Sequence, residues 1–264
     1  MLVDFYGCKL GPDLAMLDYF LKFAGIEPRS VPRRFRRNRL QVEAPRPSAY
    51  NLSEMRTKFD RLIALNANAS TPIRCMPKEA LGRLLGALDR YPRWGIVTTH
   101  AVGRAGPRIL DVSYRSRTFP DFVAILACCD GAISVDSSTY HIADALDMQA
   151  LVFFTTNKCD VWTANYPRAI GVQVGSPGPL GGMHFSNDPL HIAYARAQWA
   201  QVDFSRALAE FRGAIERSSA DRPGTRRLRA SFAVLPSHNP GSSETLAIRK
   251  ARPRPGSGGR TRTT

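Results

Sequence analysis

The stretch Ala132-Ile-Ser-Val-Asp-Ser-Ser-Thr-Tyr-His-Ile-Ala-Asp-Ala-Leu146 restricts this chain more than any other. It reads as a buried strand, a polar turn at Asp136-Ser137-Ser138, and a helix carrying His141 in its first turns. A second apolar run, Ala150-Leu-Val-Phe-Phe154, follows almost at once. Strand, turn, helix and strand in this order make a parallel α/β unit. Its turn falls outside the carboxyl end of a strand and at a helix N-terminus, where α/β proteins bind phosphates. Ser137 or Ser138 can cap the helix, and the first backbone N–H groups stay free for an anion.

The rest of the chain repeats the alternation. Arg61–Asn66, Trp94–Thr99, Ile109–Val112 and Ile170–Val174 read as strands. Pro77–Leu88, Phe119–Cys128 and residues 203–217 read as helices, with Pro77 and Pro120 suited to first turns. Residues 12–24 have helical apolar spacing, and Gly25 stops them. Residues 27–50 read as an exposed irregular segment, and Gly175–Gly182 as a flexible loop without the strand–helix setting of a dinucleotide fingerprint. Strands alternating with helices predict an α/β class: a Rossmann-like parallel sheet with helices on both faces, over residues 59–217. Residues 1–58 are too short and broken for a second such domain. Residues 218–264 read as a basic, mostly disordered tail in which Ser231–Leu235 can dock locally.

Charge comes in where partners are concerned. The net charge is +15, which first suggests nucleic acid. From Ala220 onward ten Lys/Arg face only Asp221 and Glu244, leaving the tail at +8. A second cluster is Arg33, Arg34, Arg36, Arg37 and Arg39. The excess therefore sits in a tail and a linker with little aromatic interleaving. Solvated basic segments are the favoured reading over nucleic acid, and a non-specific phosphate or peripheral membrane-surface contact is the sharper alternative. No apolar run of about 18 residues is present, and no secretory signal follows Met1, so a cytoplasmic location is expected, with the inner face of the membrane in reach of the basic segments. The cysteines, Cys8, Cys75, Cys128, Cys129 and Cys159, are odd in number and form no C-x-x-C pair, which suits reduced thiols. Cys128–Cys129 is expected at a helix end with one thiol packed inward.

Two polar loops follow strands and would open at one sheet edge. One is Asn66–Arg74, in which Ser70 and Thr71 offer hydroxyls and Arg74 a guanidinium fork for phosphate. The other is Asp136-Ser137-Ser138. Together they could hold a pyrophosphate. Asp136 would repel it unless turned away, so it is assigned to hydroxyl hydrogen bonding or to ordering the turn. His141 can add positive charge or donate one hydrogen bond. Each feature also has a plain structural reading: a cap, a satisfied histidine, a surface charge. The residues by themselves support a phosphate-binding α/β domain. No G-x-S-x-G elbow supports a hydrolase.

The segment from Phe122-Val-Ala-Ile-Leu-Ala-Cys-Cys-Asp130 through Phe154 resembles glycosyltransferase family 9, the heptosyltransferase-like group with the GT-B fold. Asp136, Ser137, Ser138, His141, Ile142, Ala143, Ala145, Leu146 and Thr155 stand at the positions of the family's Asp-[Ser/Thr]-[Gly/Ser]-x-x-His-[Leu/Ile]-Ala-x-Ala-Leu signature and the strand into Thr. Ile63–Ser70 resembles its first strand and small loop, Arg74 falls near its basic residue, and Met76-Pro77 where Trp-Pro is frequent. Trp162 and Tyr166-Pro167 also resemble residues of some members. Asn68 and Ser138 depart from glycine. The resemblance implies a donor-binding half that holds a nucleotide sugar's diphosphate through Ser70, Thr71, Arg74, Ser137, Ser138 and His141, with no metal or other cofactor. It also implies that an acceptor domain, bearing the general base, should precede residue 1, leaving residues 1–58 as its remnant and linker. On that expectation the chain alone binds a nucleoside diphosphate weakly and transfers no sugar. The alternatives are a non-catalytic domain kept for interaction, and a nucleic-acid module driven by the tail.

Overall fold

The apolar runs do form strands, and they form one sheet. In the computed structural model, which describes residues 15–36, 40, 50, 52–104 and 106–220, six strands are paired in parallel. They are β1 (Arg61–Asn66), β2 (Trp94–Thr98), β3 (Ile109–Asp111), β4 (Gly131–Val135), β5 (Gln149–Phe154) and β6 (Ala169–Gln173). Their order is β3-β2-β1-β4-β5-β6. The order reverses between β1 and β4, which is the switch point where open α/β sheets bind ligands. There Ile63 is level with Gly131 and Asn66 with Ser134, so the loops leaving the two strands start side by side.

Alternation along the strands divides the core. Ile63, Leu65, Ile133, Val135, Leu151 and Phe153 face one layer of helices: α3 (Lys78–Leu88) and α8 (Phe204–Ala220). Ala64, Ala132, Ala150, Val152 and Phe154 face the other: α4 (Phe119–Ala127) and α5 (Ser138–Ala145). Burial on both faces explains why the strands read as unbroken apolar runs. A Cβ on Gly131 would stand 2.9 Å from Phe211 Cζ, so α8 crosses β4 at a distance only glycine allows. Pro120 occupies the first turn of α4, where Thr118 and Asp121 form a reciprocal capping box.

Three expectations need correction. The first concerns the N-terminal part. Within the segment read as remnant and linker, Leu52–Lys58 forms α2, and Leu52 and Met55 pack with Leu62, Val97 and Ile125. The packed domain therefore begins before residue 59. Arg56 fastens α2 by bonding the Cys128 carbonyl and Asp130, the latter at 2.6 Å. Upstream, α1 (Met16–Phe23) ends at Gly25, whose φ of 75° suits a helix stop. Asp18 of α1 accepts from Arg36 and from Asn165.

The second correction is the glycine-rich loop. Gly178–Leu180 is a turn of 3-10 helix, and Leu180 is buried against Ile73 and Ala195. The loop is anchored by that side chain. Third, Pro189–Gln198 forms α7, capped by Asp188, a helix the sequence reading passed over. Between β5 and β6 lies the short α6 (Cys159–Thr163).

Cys128 does end α4, buried, and burial pushes its thiol up to about 11; burial raises Cys129 as well. Both are protonated, inert thiols at neutral pH. Among the described residues no helix is long and apolar enough to cross a membrane. Residues 1–14, the Arg37 and Arg39 part of the arginine cluster, and the basic tail lie outside the described residues.

Candidate functional site at the switch point

The loops after β1 and β4 are joined by side chains. Asn66, the last residue of β1, donates from Nδ2 to Thr139 Oγ1 at 2.7 Å and to Ser137 Oγ at 3.4 Å. Its Oδ1 accepts from the Asn68 N–H, which turns the first loop sharply. Met76 N–H to Ala67 carbonyl closes that loop, and Cys75 Sγ accepts from the Ala69 N–H inside it. From β2, His100 Nε2 accepts from the Ala67 N–H at 3.4 Å. From β5, Thr155 donates to the Ile73 carbonyl at 2.8 Å.

The second loop is a helix cap. Ser137 is the N-cap of α5; its Oγ accepts from the Thr139 N–H and lies 2.9 Å from Ser134 Oγ. Ser138 is exposed at the first helical position. The first amides of α5 have no intrahelical acceptor, and the helix dipole places partial positive charge there. This end faces the loop that holds Ser70.

Arg74 and Asp136 meet across the gap. Arg74 Nη1 lies 3.2 Å from Asp136 Oδ2, and Arg74 Nη2 donates to Ser70 Oγ at 2.7 Å. Asn157, just past β5, donates to the same Asp136 oxygen at 2.6 Å. Asp136 is 2% exposed and bonds residues of the loops after β1 and β5. The Arg74 fork is engaged by Asp136 and Ser70. Its charge is balanced by Asp136, although each terminal nitrogen has a second N–H to donate.

Two further candidates have partners within the fold. Thr71 is buried; its hydroxyl and the backbone of Ser186 are within 3.5 Å in both donor directions, so it pins the loop before α7 rather than a ligand. His141 is half-buried, with Nδ1 2.7 Å from the Tyr166 hydroxyl. Burial, the larger cause, and the Arg74 charge lower its pKa, and Asp136 only partly opposes them. His141 is therefore a neutral hydrogen-bonding group at pH 7, not a source of positive charge. Ser70, Arg74, Ser137, Ser138 and His141 lie on the loops after β1 and β4 or in the helix that follows β4.

Sequence reasoning did not single out Asn66, His100, Asn157 or His184. Gly182 N–H donates to the Thr156 carbonyl, which brings the loop carrying His184 over the end of β5. His184 sits 5.2 Å from the Trp162 ring, and burial followed by the Arg74 charge lowers its pKa. Polar residues directly after β2 and β5 were the available signal, since every parallel strand ends at this edge.

Comparison with known proteins agrees with this frame. No family profile matches the chain, and no curated protein matches it. Solved structures do. The E. coli ADP-heptose lipopolysaccharide heptosyltransferase II superposes with a TM-score of 0.54 at 15% identity, over 78% of this chain and 63% of that one. A glycosyltransferase family 9 structure from Veillonella parvula gives 0.47 at 11% identity, over 68% and 54%. The E. coli heptosyltransferase WaaC with ADP gives 0.39 at 13%, over 48% and 42%. The class is thus a Rossmann-like α/β protein with a glycosyltransferase-like fold. More narrowly, the fold resembles that of heptosyltransferase II. The chain spans 63% of the length of heptosyltransferase II.

Proposed function

We propose that this chain is the donor-binding unit of a family-9-like glycosyltransferase and cradles the diphosphate of a nucleotide sugar between the loops after β1 and β4. The observation that carries the reading is the capped, outward-facing N-terminus of α5, held against the Ser70 loop at the switch point by Asn66 and the Arg74–Asp136 pair. The α5 amides, Ser138, Ser70 and the remaining Arg74 donors would bind the phosphate oxygens. His141 would donate one uncharged hydrogen bond.

In a glycosyl transfer this arrangement stabilises the charge that develops on the departing diphosphate. The helix end and the arginine supply that stabilisation through fixed donors. Activation of the acceptor hydroxyl is assigned to a second domain, because Asp136 is committed to Arg74 and Asn157.

Calorimetry with ADP, GDP and UDP tests the reading, using the wild-type chain and Ser138→Glu. Ser138 is exposed, and a carboxylate in a first helical turn favours the helix, so the variant stays folded. That carboxylate occupies the positive end that a phosphate needs. Binding by the wild type and a loss of about ten-fold or more in the variant is expected. Equal binding by both would remove α5 from the site.

A further inference from the structure

His141 is held on two sides. Its ring lies 4.0 Å from that of Tyr140 and 5.3 Å from that of Tyr166, centroid to centroid. Tyr140 in turn lies edge-on to Phe154 and Tyr166 in the core between α5 and β5. Packing therefore fixes the ring plane. One contact fixes its polarity, the 2.7 Å approach of Nδ1 to the Tyr166 hydroxyl. A phenol is the stronger acid of the two groups and a neutral imidazole nitrogen the stronger base, so O–H to N is the favoured direction. Nδ1 then accepts, and the ring proton must sit on Nε2. His141 Nε2 has no partner among the described residues, and it is not among the buried unpartnered atoms, so it keeps contact with solvent.

We propose that Tyr166 is a positioning residue: its phenol donates to His141 Nδ1 and holds the imidazole as the Nε2–H tautomer, a donor presented beside the N-terminus of α5. Among the described residues, the charged groups facing this ring are Asp136, from the loop after β4, and Arg74, from the loop after β1; the phenols are Tyr140 and Tyr166. The consequence for nucleotide binding rests on the donor-site reading above. The tautomer itself does not.

The test is long-range nitrogen–proton NMR of the histidine rings in the full chain at pH 7.5 (about one unit above the ordinary histidine pKa). His141→Gln assigns the resonance. The wild type is expected to show His141 only as Nε2–H, together with a slowly exchanging Tyr166 hydroxyl proton. Tyr166→Phe is expected to show both tautomers in exchange and about two- to ten-fold weaker ADP binding. An Nδ1–H ring in the wild type would overturn the proposal, and so would an unchanged single tautomer in Tyr166→Phe. If Tyr166→Phe does not fold, the wild-type tautomer decides alone. Absence of ADP binding with the expected tautomer would count against the donor-site reading and leave this assignment standing.

Discussion

Arg74 Nη1 and Asp136 Oδ2 stand 3.2 Å apart, from loops that follow different strands, and this pair closes the seam between β1 and β4. Both side chains are largely shielded, at 14% and 3% exposure, so neither charge is well hydrated without the other. Removing one partner should leave a buried charge uncompensated. Arg74→Met is expected to destabilise the domain by about 3 kcal/mol. The double variant Arg74→Met/Asp136→Asn should lose less than the sum of the single losses, with a coupling of about 1–3 kcal/mol. Urea denaturation of the four proteins measures it; strict additivity would mean the pair holds nothing together.

Acid should loosen the same edge. His100, His141 and His184 all have pKa values lowered from 6.5, with burial the first cause in each. The unfolded chain binds protons near pH 6.5 that the folded chain does not accept until lower pH. Stability therefore rises with pH across that window and is lost as pH falls from 6.5 toward the folded values. Denaturation midpoints measured from pH 7.5 down to about 5 should fall, and His141→Gln should flatten part of the slope. A rise in stability on acidification would contradict the burial of these rings.

The loop before α7 should behave as a strap fixed at two points. Leu180 seats it in the Ile73 pocket, and Thr71 binds the Ser186 backbone. Leu180→Ala is expected to cost about 2–3 kcal/mol, and Thr71→Val about 1 kcal/mol. Hydrogen exchange at Gly181–Ser186 should quicken in both. Unchanged exchange would show that the loop is held by something else.

Much of the fold was legible because parallel strands are buried on both faces. Ile63–Leu65, Ala132–Ile133 and Leu151–Phe154 are apolar throughout, which makes them conspicuous. Elements with a thin buried stripe were not. Helix α2 buries only Leu52 and Met55, amid Glu54, Arg56 and Lys58, and α7 buries only Ala195. Asp188-Pro189 was the signal for α7, a cap followed by proline in the first turn. At the site, the turn Asp136-Ser137-Ser138 and its place on the sheet edge were readable. The pairing of Arg74 with a carboxylate 62 residues away was not, nor was the approach of Tyr166 to His141, 25 residues on. Spacing along a chain carries no information on which loops a sheet brings together. The commitment of Arg74 to Asp136 and the contact of His141 Nδ1 with Tyr166 were illegible for that reason.

The central claim is that phosphate oxygens sit at the N-terminus of α5 against the Ser70 loop. Backbone amide shifts during an ADP titration of the full chain test it most directly. The account predicts that the largest shifts fall on Ser137–Tyr140 and Ala69–Thr71, with His100 and the α8 amides little moved. Saturable shifts centred on any other edge of the sheet, with Ser138 and Ser70 unaffected, would contradict it.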